Sequence, residues 1–318
     1  MTVLVLTAPD DDTASRVCQA LQARGRGYAR MDLGDFPETL SFTASGPDPA
    51  WAGRLSHGQH DLALAEIEAV YWRRPSEFRL PAHLDRQHRR FALAEARQGL
   101  GGLISSLPVP FVNHPSRIAD AELKPSQLHA AAQIGLPVPP TMITSSGRDA
   151  RAFARRFGKV LYKPLTSAFL HEEDRVKLVY ATLIDPSEID DASIAMAPCQ
   201  FQAFIPKSRD IRLVAVGGEC FAVAIHAGSD ESYVDWRADY PALSYEAVPT
   251  PCHVAEAVAA YLKRFGLSFG CFDFTESADT GEWLFLECGA NAQWGWLEHE
   301  TGLPIADAIA RQLTGGTA

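Results

Sequence analysis

The stretch Cys271-Phe272-Asp273-Phe274 is followed by Ala278-Asp279-Thr280-Gly281 and then by Trp283-Leu284-Phe285-Leu286-Glu287. This order predicts a strand, a turn and a returning strand, with one acidic residue on each strand. We expect Asp273 and Glu287 to lie side by side among apolar residues. A carboxylate in such surroundings needs a counter-charge, because its uncompensated desolvation is costly. The hairpin therefore predicts a charged site, with two ordinary strand-end acids in solvent as the structural alternative.

Asn291 follows Glu287 closely and adds an amide oxygen to the two carboxylates. These oxygen ligands suit a hard divalent cation, and Mg²⁺ in particular is held by one or two carboxylates together with substrate phosphates. We therefore predict Asp273, Glu287 and Asn291 as metal ligands.

Composition limits the classes of protein to which the chain can belong. It has 318 residues, of which 47% are hydrophobic and 21% charged, and this predicts a globular protein of two or three lobes. A formal net charge of −10 argues against a nucleic-acid partner, which normally needs a basic face. We expect no membrane segment, because no run of 18 apolar residues occurs. Six scattered cysteines without a CxxC pair, and an N-terminus unlike a signal peptide, predict a reduced cytoplasmic protein.

Hydrophobic periodicity predicts an α/β (α+β) chain in three segments, 1–115, 116–197 and 198–318. The first segment is predicted as alternating strands and helices, and no GxGxxG motif follows its first strand, so dinucleotide binding is not expected there. The predicted elements of this segment are strands Val3–Thr7, Tyr28–Met31 and Val70–Trp72, helix Asp12–Ala23, and a helix whose apolar stripe runs from Leu93 to Leu107.

The second and third segments carry clearer start and stop signals. Pro125 suits the first turn of a helix that Gly135 and Pro137 end, and a Gly-Gly turn separates two later strands. The predicted elements are helices Gly147–Phe157, Val254–Phe265 and Pro304–Leu313, strands Val160–Pro164, Gln200–Ile205, Ile211–Val216 and Cys220–His226, and a β-rich stretch Leu178–Ile184.

Two lysines are placed where they could reach a phosphate group. Lys163 ends a predicted strand before a loop, and Lys124 lies at the junction between a helix and Pro125. A lysine ammonium at such a position acts as a point charge for phosphate oxygens. Taken singly, each lysine is also explained as an ordinary solvated residue.

A third group of candidates lies around the strands of the last segment. Gln202-Ala203-Phe204-Ile205 could recognise an adenine edge through backbone groups, with Phe204 and Ile205 against the ring, or could simply be a core strand. Arg212 could bind a γ-phosphate bidentately. Asp210 could hold that arginine or accept from a ribose or substrate group, and a structural ion pair is the alternative.

In this order the pieces resemble the ATP-grasp superfamily, and further motifs resemble its ribosomal peptide maturases, the graspetide (microviridin-type) synthetases. The resemblance covers most of the chain and depends on the combination of motifs. These are Tyr71-Trp72-Arg73-Arg74-Pro75, Asn113-His114-Pro115, Lys207-Ser208-Arg209-Asp210-Ile211-Arg212, Asp235-Trp236-Arg237 and Gln293-Trp294-Gly295-Trp296-Leu297-Glu298.

The resemblance implies an ATP-grasp fold with an N-terminal pre-ATP-grasp lobe, a central lobe and a C-terminal lobe, and ATP with Mg²⁺ held between the last two. It implies that Lys124 and Lys163 contact phosphates, that Gln202 to Ile205 hold adenine, and that Asp273 and Glu287 bind Mg²⁺. Arg212 and Arg237 would stabilise the transferred phosphoryl group.

The implied substrate is a ribosomal precursor peptide, made of leader and core, whose Asp or Glu side chains become esters or amides with Ser, Thr or Lys side chains. The reaction would be ADP-forming and pass through an acyl phosphate. We expect a separate leader-binding surface, with Leu178–Ile184 as one candidate edge strand. Sequence leaves the ring connectivity and the oligomeric state open, with a homodimer as one expectation.

Two departures and two alternatives accompany this resemblance. The superfamily usually has a Glu-x-Asn metal pair, whereas Gly289 occupies the Asn position here, so either Asn291 or a water takes the role. The loop Leu165–Leu170 lacks the glycines that often cover the phosphates. The alternatives are an ATP-grasp ligase that adds a free amino acid to a peptide or protein, and a non-catalytic nucleotide-binding protein of the same fold.

Overall fold

The computed structural model describes residues 2–166, 169–172 and 175–315. Its first lobe is built on a parallel sheet, and the order of strands is β2-β1-β6-β7. The elements of this lobe are β1 (Thr2–Leu6), α1 (Asp12–Ala23), β2 (Gly27–Met31), β3 (Leu40–Ser45), β4 (Ala52–His57), β5 (His60–Ala63), β6 (Ile67–Trp72), α2 (Arg86–Ala96), α3 (Gly102–Ser105) and β7 (Phe111–Val112).

The main features predicted for this lobe are confirmed. Asp11 caps α1 by accepting from the backbone N–H of Ala14 at 2.9 Å, so the helix begins where its acidic start predicts. The long predicted helix is divided between α2 and α3 by a π-helical turn at Arg97–Gly101. The antiparallel sheet β3-β4-β5 was not predicted, because its alternating strands are short and interrupted by polar residues.

The middle of the chain begins with two helices and continues as a small lobe. This lobe has a four-stranded sheet of order β12-β9-β13-β8, and β10 and β11 form a separate hairpin. The elements are α4 (Pro115–Ala121), α5 (Lys124–Ile134), β8 (Thr141–Thr144), α6 (Gly147–Phe157), β9 (Val160–Lys163), β10 (Phe169–Glu172), β11 (Arg175–Leu178), β12 (Thr182–Ile184), α7 (Asp191–Met196) and β13 (Cys199–Ala203).

A five-stranded antiparallel sheet of order β16-β15-β14-β17-β18 forms the last lobe. Its faces alternate cleanly: Val214, Phe269 and Cys271 pack with α1 and the first lobe, whereas Leu213, Phe272 and Phe274 pack with α5 and α9. The elements are β14 (Lys207–Val216), β15 (Glu219–His226), α8 (Asp230–Val234), β16 (Ser244–Val248), α9 (Cys252–Phe265), β17 (Phe269–Ser277), β18 (Trp283–Gly289), α10 (Gly295–Thr301) and α11 (Ile305–Leu313).

Two boundaries differ from those predicted. Strand β13, assigned from sequence to the segment that starts at 198, pairs with β8 and β9, so it belongs to the sheet of the middle lobe. Helices α4 and α5 pack on the last sheet, because their apolar residues Ile118, Ala130 and Ala131 bury against it. The β-rich stretch Leu178–Ile184 is divided between the end of β11 and β12, and β12 is an edge strand as predicted.

Across the described ranges, which omit 167–168 and 173–174, we find no helix both long and apolar enough to cross a membrane. Ser167 and Ala168, in the loop that lacks the glycines expected to cover the phosphates, lie outside the described residues.

Candidate functional site

The acidic hairpin forms as predicted and brings its two carboxylates together. Asp273 on β17 pairs in register with Glu287 on β18 and with Arg212 on β14. Nη1 of Arg212 donates to both oxygens of Asp273 at 2.8 and 2.9 Å, and Nη2 donates to the carbonyl of Gln293 at 2.8 Å. These side chains are almost fully enclosed, with 8% of Arg212 and 13% of Asp273 exposed. Each needs the other, because neither charge could be buried alone at low cost.

Lys124 supplies the counter-charge for Glu287. It is the first residue of α5, followed by Pro125, and its ammonium group donates to Oε2 of Glu287. Gln127, one turn further along α5, fixes the helix on β18: its Nε2 donates to the carbonyl of Cys288 at 2.8 Å, and its Oε1 accepts from the N–H of Cys288 at 3.1 Å. The buried side-chain amide of Gln127 therefore fixes the position of Lys124, because it bonds both the N–H and the carbonyl of Cys288, the residue after Glu287.

Arg237 approaches Glu287 from a different element. It lies in a short 3₁₀ turn after α8, and its guanidinium donates to both oxygens of Asp235 at 2.9 and 2.8 Å. Nη1 of Arg237 is 3.7 Å from Oε1 of Glu287. Asp235 also accepts from the N–H of Ala181 at 2.9 Å, which links this turn to the middle lobe. The two arginines predicted as catalytic thus lie on either side of the acidic pair.

Lys163 ends β9 and extends toward the same group of charges. Its ammonium donates to Oε1 of Gln202 at 2.8 Å, and Nε2 of Gln202 donates to Oγ1 of Thr141 at 2.9 Å. Desolvation lowers the pKa of Lys163 to about 8, and the nearby charges of Lys124 and Arg237 add to this lowering while Glu287 opposes it. The ammonium of Lys163 bonds to Gln202, and no carboxylate oxygen of the described residues lies within 4.0 Å of it.

The charges at the site also move the pKa values of its acids. Burial raises the pKa of Asp273, and the charge of Glu287 adds to this while Arg212 opposes it. Burial would also raise the pKa of Glu287, but Lys124 and Arg237 outweigh it and hold that pKa well below its ordinary value. The two paired carboxyl groups therefore differ in pKa: that of Asp273 is raised and that of Glu287 is lowered.

Asp210 takes a different partner from the one expected. It lies two residues before Arg212 on β14 and accepts from Lys207 at 2.6 Å, while Arg212 is held by Asp273. The expectation that Asp210 holds Arg212 is therefore wrong. Burial raises the pKa of Asp210 although Lys207 lowers it. Its other predicted role, as an acceptor for a substrate group, stays a prediction.

The predicted adenine segment begins in β13 and continues beyond it. Gln202 is buried and its side chain is bonded to Lys163, so its amide faces the charged site. Phe204 and Ile205 follow the end of the strand and are half-buried, and the ring of Phe204 lies edge-on to Tyr233 at 6.0 Å. The N–H of Phe204 donates to the carbonyl of Lys159 at 3.0 Å, and the apolar side chains of Phe204 and Ile205 are suited to a flat aromatic ligand.

Asn291 lies in the loop after β18 and contacts the first lobe. Nη1 of Arg73 donates to its backbone carbonyl at 3.0 Å and to Oδ1 at 3.3 Å. Gly289 is closely packed, because a Cβ atom there would lie 2.5 Å from Cβ of Ala292. An asparagine at 289 could not fit without moving Ala292, and this gives a physical reason for the departure from Glu-x-Asn.

The donor set fits a magnesium ion that shares its ligands with a substrate. Among residues 2–166, 169–172 and 175–315 no group of three or more His, Cys, Asp or Glu side chains is placed to hold a metal by itself. Asp273 and Glu287 provide two enclosed carboxylates, and Mg²⁺ commonly takes one or two carboxylates and completes its shell with phosphates and waters. Both carboxylates also bind cations of this chain, so a metal would share or displace those contacts.

Several residues of the site were not assigned a role from the sequence. Arg73 is 1% exposed, contacts Asp11 at 3.3 Å and reaches Asn291, Ala292 and Gln293. Asn113 bonds the backbone of Phe269 and Ala290, and so ties the end of the first lobe to the acidic hairpin. Arg73 and Asn113 both belong to sequence motifs that resemble those of the maturases. Their role, however, follows only from these long-range contacts.

Comparison with known proteins agrees with this architecture. The family model described as the MvdD pre-ATP grasp domain matches residues 2–119. A search of curated protein sequences gave no match.

Solved structures match over nearly the whole chain. The RiPP-associated ATP-grasp ligase of Chryseobacterium gregarium, solved with ADP and a leader and core peptide, is 22% identical with a TM-score of 0.92, covering 100% of this chain and 97% of its own. Macrocyclase MdnC of Microcystis aeruginosa, bound with precursor peptide MdnA, is 26% identical with a TM-score of 0.88, covering 99% and 100%. Macrocyclase MdnB of the same organism is 28% identical with a TM-score of 0.82, covering 99% of each chain.

The first of these likenesses concerns the fold alone, and the two macrocyclases extend it to sequence. Residues 2–119 match the pre-ATP grasp domain model, and over nearly its whole length the chain is similar to these two macrocyclases.

Proposed function

We propose that this protein is an ADP-forming ligase that activates Asp or Glu side chains of a ribosomal precursor peptide and links them to Ser, Thr or Lys side chains of the same peptide. The observation that carries the proposal is the convergence of Arg212, Lys124 and Arg237 on the carboxylates Asp273 and Glu287. Macrocyclase MdnC, solved with its precursor peptide, and the Chryseobacterium gregarium ligase, solved with ADP and a leader and core peptide, support the same substrate class.

The chemical problem is that a carboxylate is a poor electrophile, because its displacement would expel oxide. Transfer of the γ-phosphoryl group of ATP converts the leaving group into phosphate. This transfer needs positioning and neutralisation of phosphate oxygens more than covalent help from the protein. A hydroxyl or amine of the peptide then attacks the acyl carbon, and phosphate leaves with one oxygen of the original carboxylate.

The described residues divide these tasks between them. Lys124 and Lys163 provide point charges for the phosphates, and Arg212 and Arg237 provide forked donors for the group in transit. Asp273 and Glu287, with Asn291, would hold Mg²⁺, which neutralises phosphate charge when it is bound. Gln202, Phe204 and Ile205 would hold the adenine. Closure of the lobes must exclude water, because an acyl phosphate hydrolyses.

The precursor peptide is expected to bind at two places. Its reacting side chains belong beside the acidic hairpin, and its leader belongs to a separate surface. The edge strand β12 offers unpaired backbone groups to which an extended leader could add. A leaderless core peptide should therefore react more slowly than the full precursor at equal concentration.

The experiment is incubation of the protein with MgATP and the precursor peptide, followed by mass spectrometry of the peptide and analysis of the nucleotide. We expect the peptide to lose one water per linkage with release of one ADP and one phosphate. A peptide that gains the mass of an amino acid would favour the alternative ligase. Absence of both turnover and peptide change, with retained ATP binding, would favour the non-catalytic alternative.

A reduced intracellular setting and a homodimer complete the proposal. All six cysteines are free, which agrees with the cytoplasmic location predicted from their spacing. The homodimer stays a prediction that sedimentation at several protein concentrations would test.

A further inference from the structure

Arg74 has an unusual backbone conformation. Its φ angle is +48°, and among the described residues it is the one residue other than glycine with a positive φ. The left-handed region is unfavourable for a residue with a Cβ atom, and Pro75 after it further restricts the backbone. Such conformations persist where the surroundings hold them, and they concentrate at functional sites.

Hydrogen bonds on both sides hold this residue in place. The N–H of Arg73 donates to the carbonyl of Leu6 at 2.7 Å, and the N–H of Ala8 donates to the carbonyl of Arg74 at 3.3 Å. The N–H of Ser76 donates to Oδ1 of the buried Asp32 at 2.7 Å. These partners follow or end β1 and β2, so Arg74 is fixed at the carboxyl edge of the parallel sheet. Ligands of open α/β sheets bind at this edge, where the strand order changes direction.

The same edge faces the acidic hairpin. Arg73, the preceding residue, donates to the carbonyls of Asn291 and Ala292, in the loop whose Gln293 carbonyl accepts from Arg212. The charges of Asp11 and Glu122 both act on Arg74, and Glu122 precedes Lys124 by two residues. Arg74 therefore lies at the first-lobe rim of the site.

Arg74 differs from the other arginines around the site in lacking a carboxylate partner. Arg73 contacts Asp11, Arg212 contacts Asp273, and Arg237 contacts Asp235. No carboxylate oxygen of the described residues lies within 4.0 Å of the Arg74 guanidinium, and its side chain is partly open to solvent. Partial burial, reinforced by the charge of Arg73, lowers the pKa of Arg74, so a further anion would be favoured there.

We propose that Arg74 binds a carboxylate of the precursor peptide other than the one being activated, and thereby positions the core segment against the site. This inference rests on the proposed function, which supplies an acidic peptide as substrate. A guanidinium on a fixed backbone matches a carboxylate bidentately with little loss of freedom. Arg74 is thus a positioning residue for a second acidic side chain.

The test compares Arg74→Gly, Arg74→Lys and the exposed helix variant Arg90→Ala, each with the full precursor and MgATP. Glycine removes the charge and accepts the positive φ, so the thermal unfolding temperature should not fall. We expect KM for the precursor to rise about two- to fivefold in Arg74→Gly and less in Arg74→Lys, with kcat and KM for ATP unchanged. Arg90→Ala should match the wild type.

Precursor variants with single Glu→Gln or Asp→Asn changes identify the carboxylate. One non-reacting position should raise KM with the wild type and cause no further rise with Arg74→Gly. Equal KM values of wild type and Arg74→Gly for the precursor, or an effect on KM for ATP instead, would overturn the inference about Arg74. Loss of water from the peptide with the wild type would still support the proposed function in that case. A wild type that removes no water from the peptide would overturn both.

Discussion

Arg212 bonds both oxygens of Asp273 through a single nitrogen, at 2.8 and 2.9 Å, across neighbouring antiparallel strands. Cζ of Arg212 also lies over the ring of Trp236, 5.6 Å from the ring centre. Arg212 is proposed to donate to phosphate oxygens and Asp273 to bind Mg²⁺. The atoms needed for these two roles are the ones that bond the two side chains to each other. Changes in either residue should affect both stability and chemistry.

The first prediction concerns stability. Arg212→Met leaves Asp273 enclosed without its counter-charge, so the free energy of unfolding should fall by about 3–5 kcal/mol. The double variant Arg212→Met/Asp273→Asn removes both charges and should recover much of this loss. Urea denaturation measures four proteins, namely the wild type, Arg212→Met, Asp273→Asn and the double variant, and strictly additive effects of the two single changes would contradict a direct pair.

A second prediction concerns turnover. Arg212→Lys keeps a positive charge but loses the fork, so the rate of ADP release with precursor should fall on the order of 10²–10³. Thermal stabilisation by MgATP should persist, because the arginine acts mainly on the group in transit. Arg209→Lys is the matched control on the same strand, since Arg209 pairs with Glu276 outside the site. An undiminished rate in Arg212→Lys would remove Arg212 from the chemistry.

The pH dependence of nucleotide binding should report Lys163. Its folded-state pKa is lowered to about 8, so above this pH the protein increasingly loses the charge that attracts phosphate. The affinity for MgATP should fall as pH rises from about 8 toward 10, and the slope should vanish in Lys163→Met. Titration calorimetry of wild type, Lys163→Met and the exposed control Lys159→Met measures this, and an identical slope in all three would contradict the assignment.

The sign of the stability effect is opposite. Because the unfolded lysine keeps its proton to higher pH than the folded one, the unfolded state binds more protons between about 8 and the ordinary lysine pKa. The contribution of Lys163 to stability should therefore improve as pH rises through this window, even as MgATP binding weakens.

The proposed role of Asn291 as a metal ligand can be tested with Gln293 as the control, because both side chains accept a hydrogen bond from Arg73. If Asn291 supplies a metal-side oxygen, Asn291→Ala should raise the Mg²⁺ concentration needed for half-maximal turnover. Gln293→Ala also loses a bond to Arg73 but should keep the wild-type Mg²⁺ dependence. Equal Mg²⁺ curves for Asn291→Ala and wild type would leave water as the missing ligand.

Local signals predicted much of the fold. Asp11 and Gly135 mark helix ends by capping, and the apolar alternation of Phe272 and Phe274 marks the hairpin that carries Asp273. These features act over a few residues, so they are visible in the chain itself. The short strands β3, β8 and β16 lacked such signals and were missed.

The partners within the site could not be predicted in the same way. Pairing of Lys124 with Glu287, or of Arg73 with Gln293, joins residues that are far apart in sequence and depends on how lobes pack. Asp210 shows the limit clearly: its spacing suggested Arg212, but its partner is Lys207, three residues before it. Motif resemblance located the candidate residues, whereas side-chain geometry determined which of them pair.

The most direct measurement of the central claim follows oxygen atoms. A precursor peptide with ¹⁸O in its acidic side chains is incubated with the protein and MgATP, and the released phosphate and nucleotide are analysed by mass spectrometry. Activation by phosphoryl transfer predicts one labelled oxygen in inorganic phosphate for each water lost from the peptide, with unlabelled ADP. Label in AMP, or linkage without label in phosphate, would contradict an acyl phosphate and with it this account of the site.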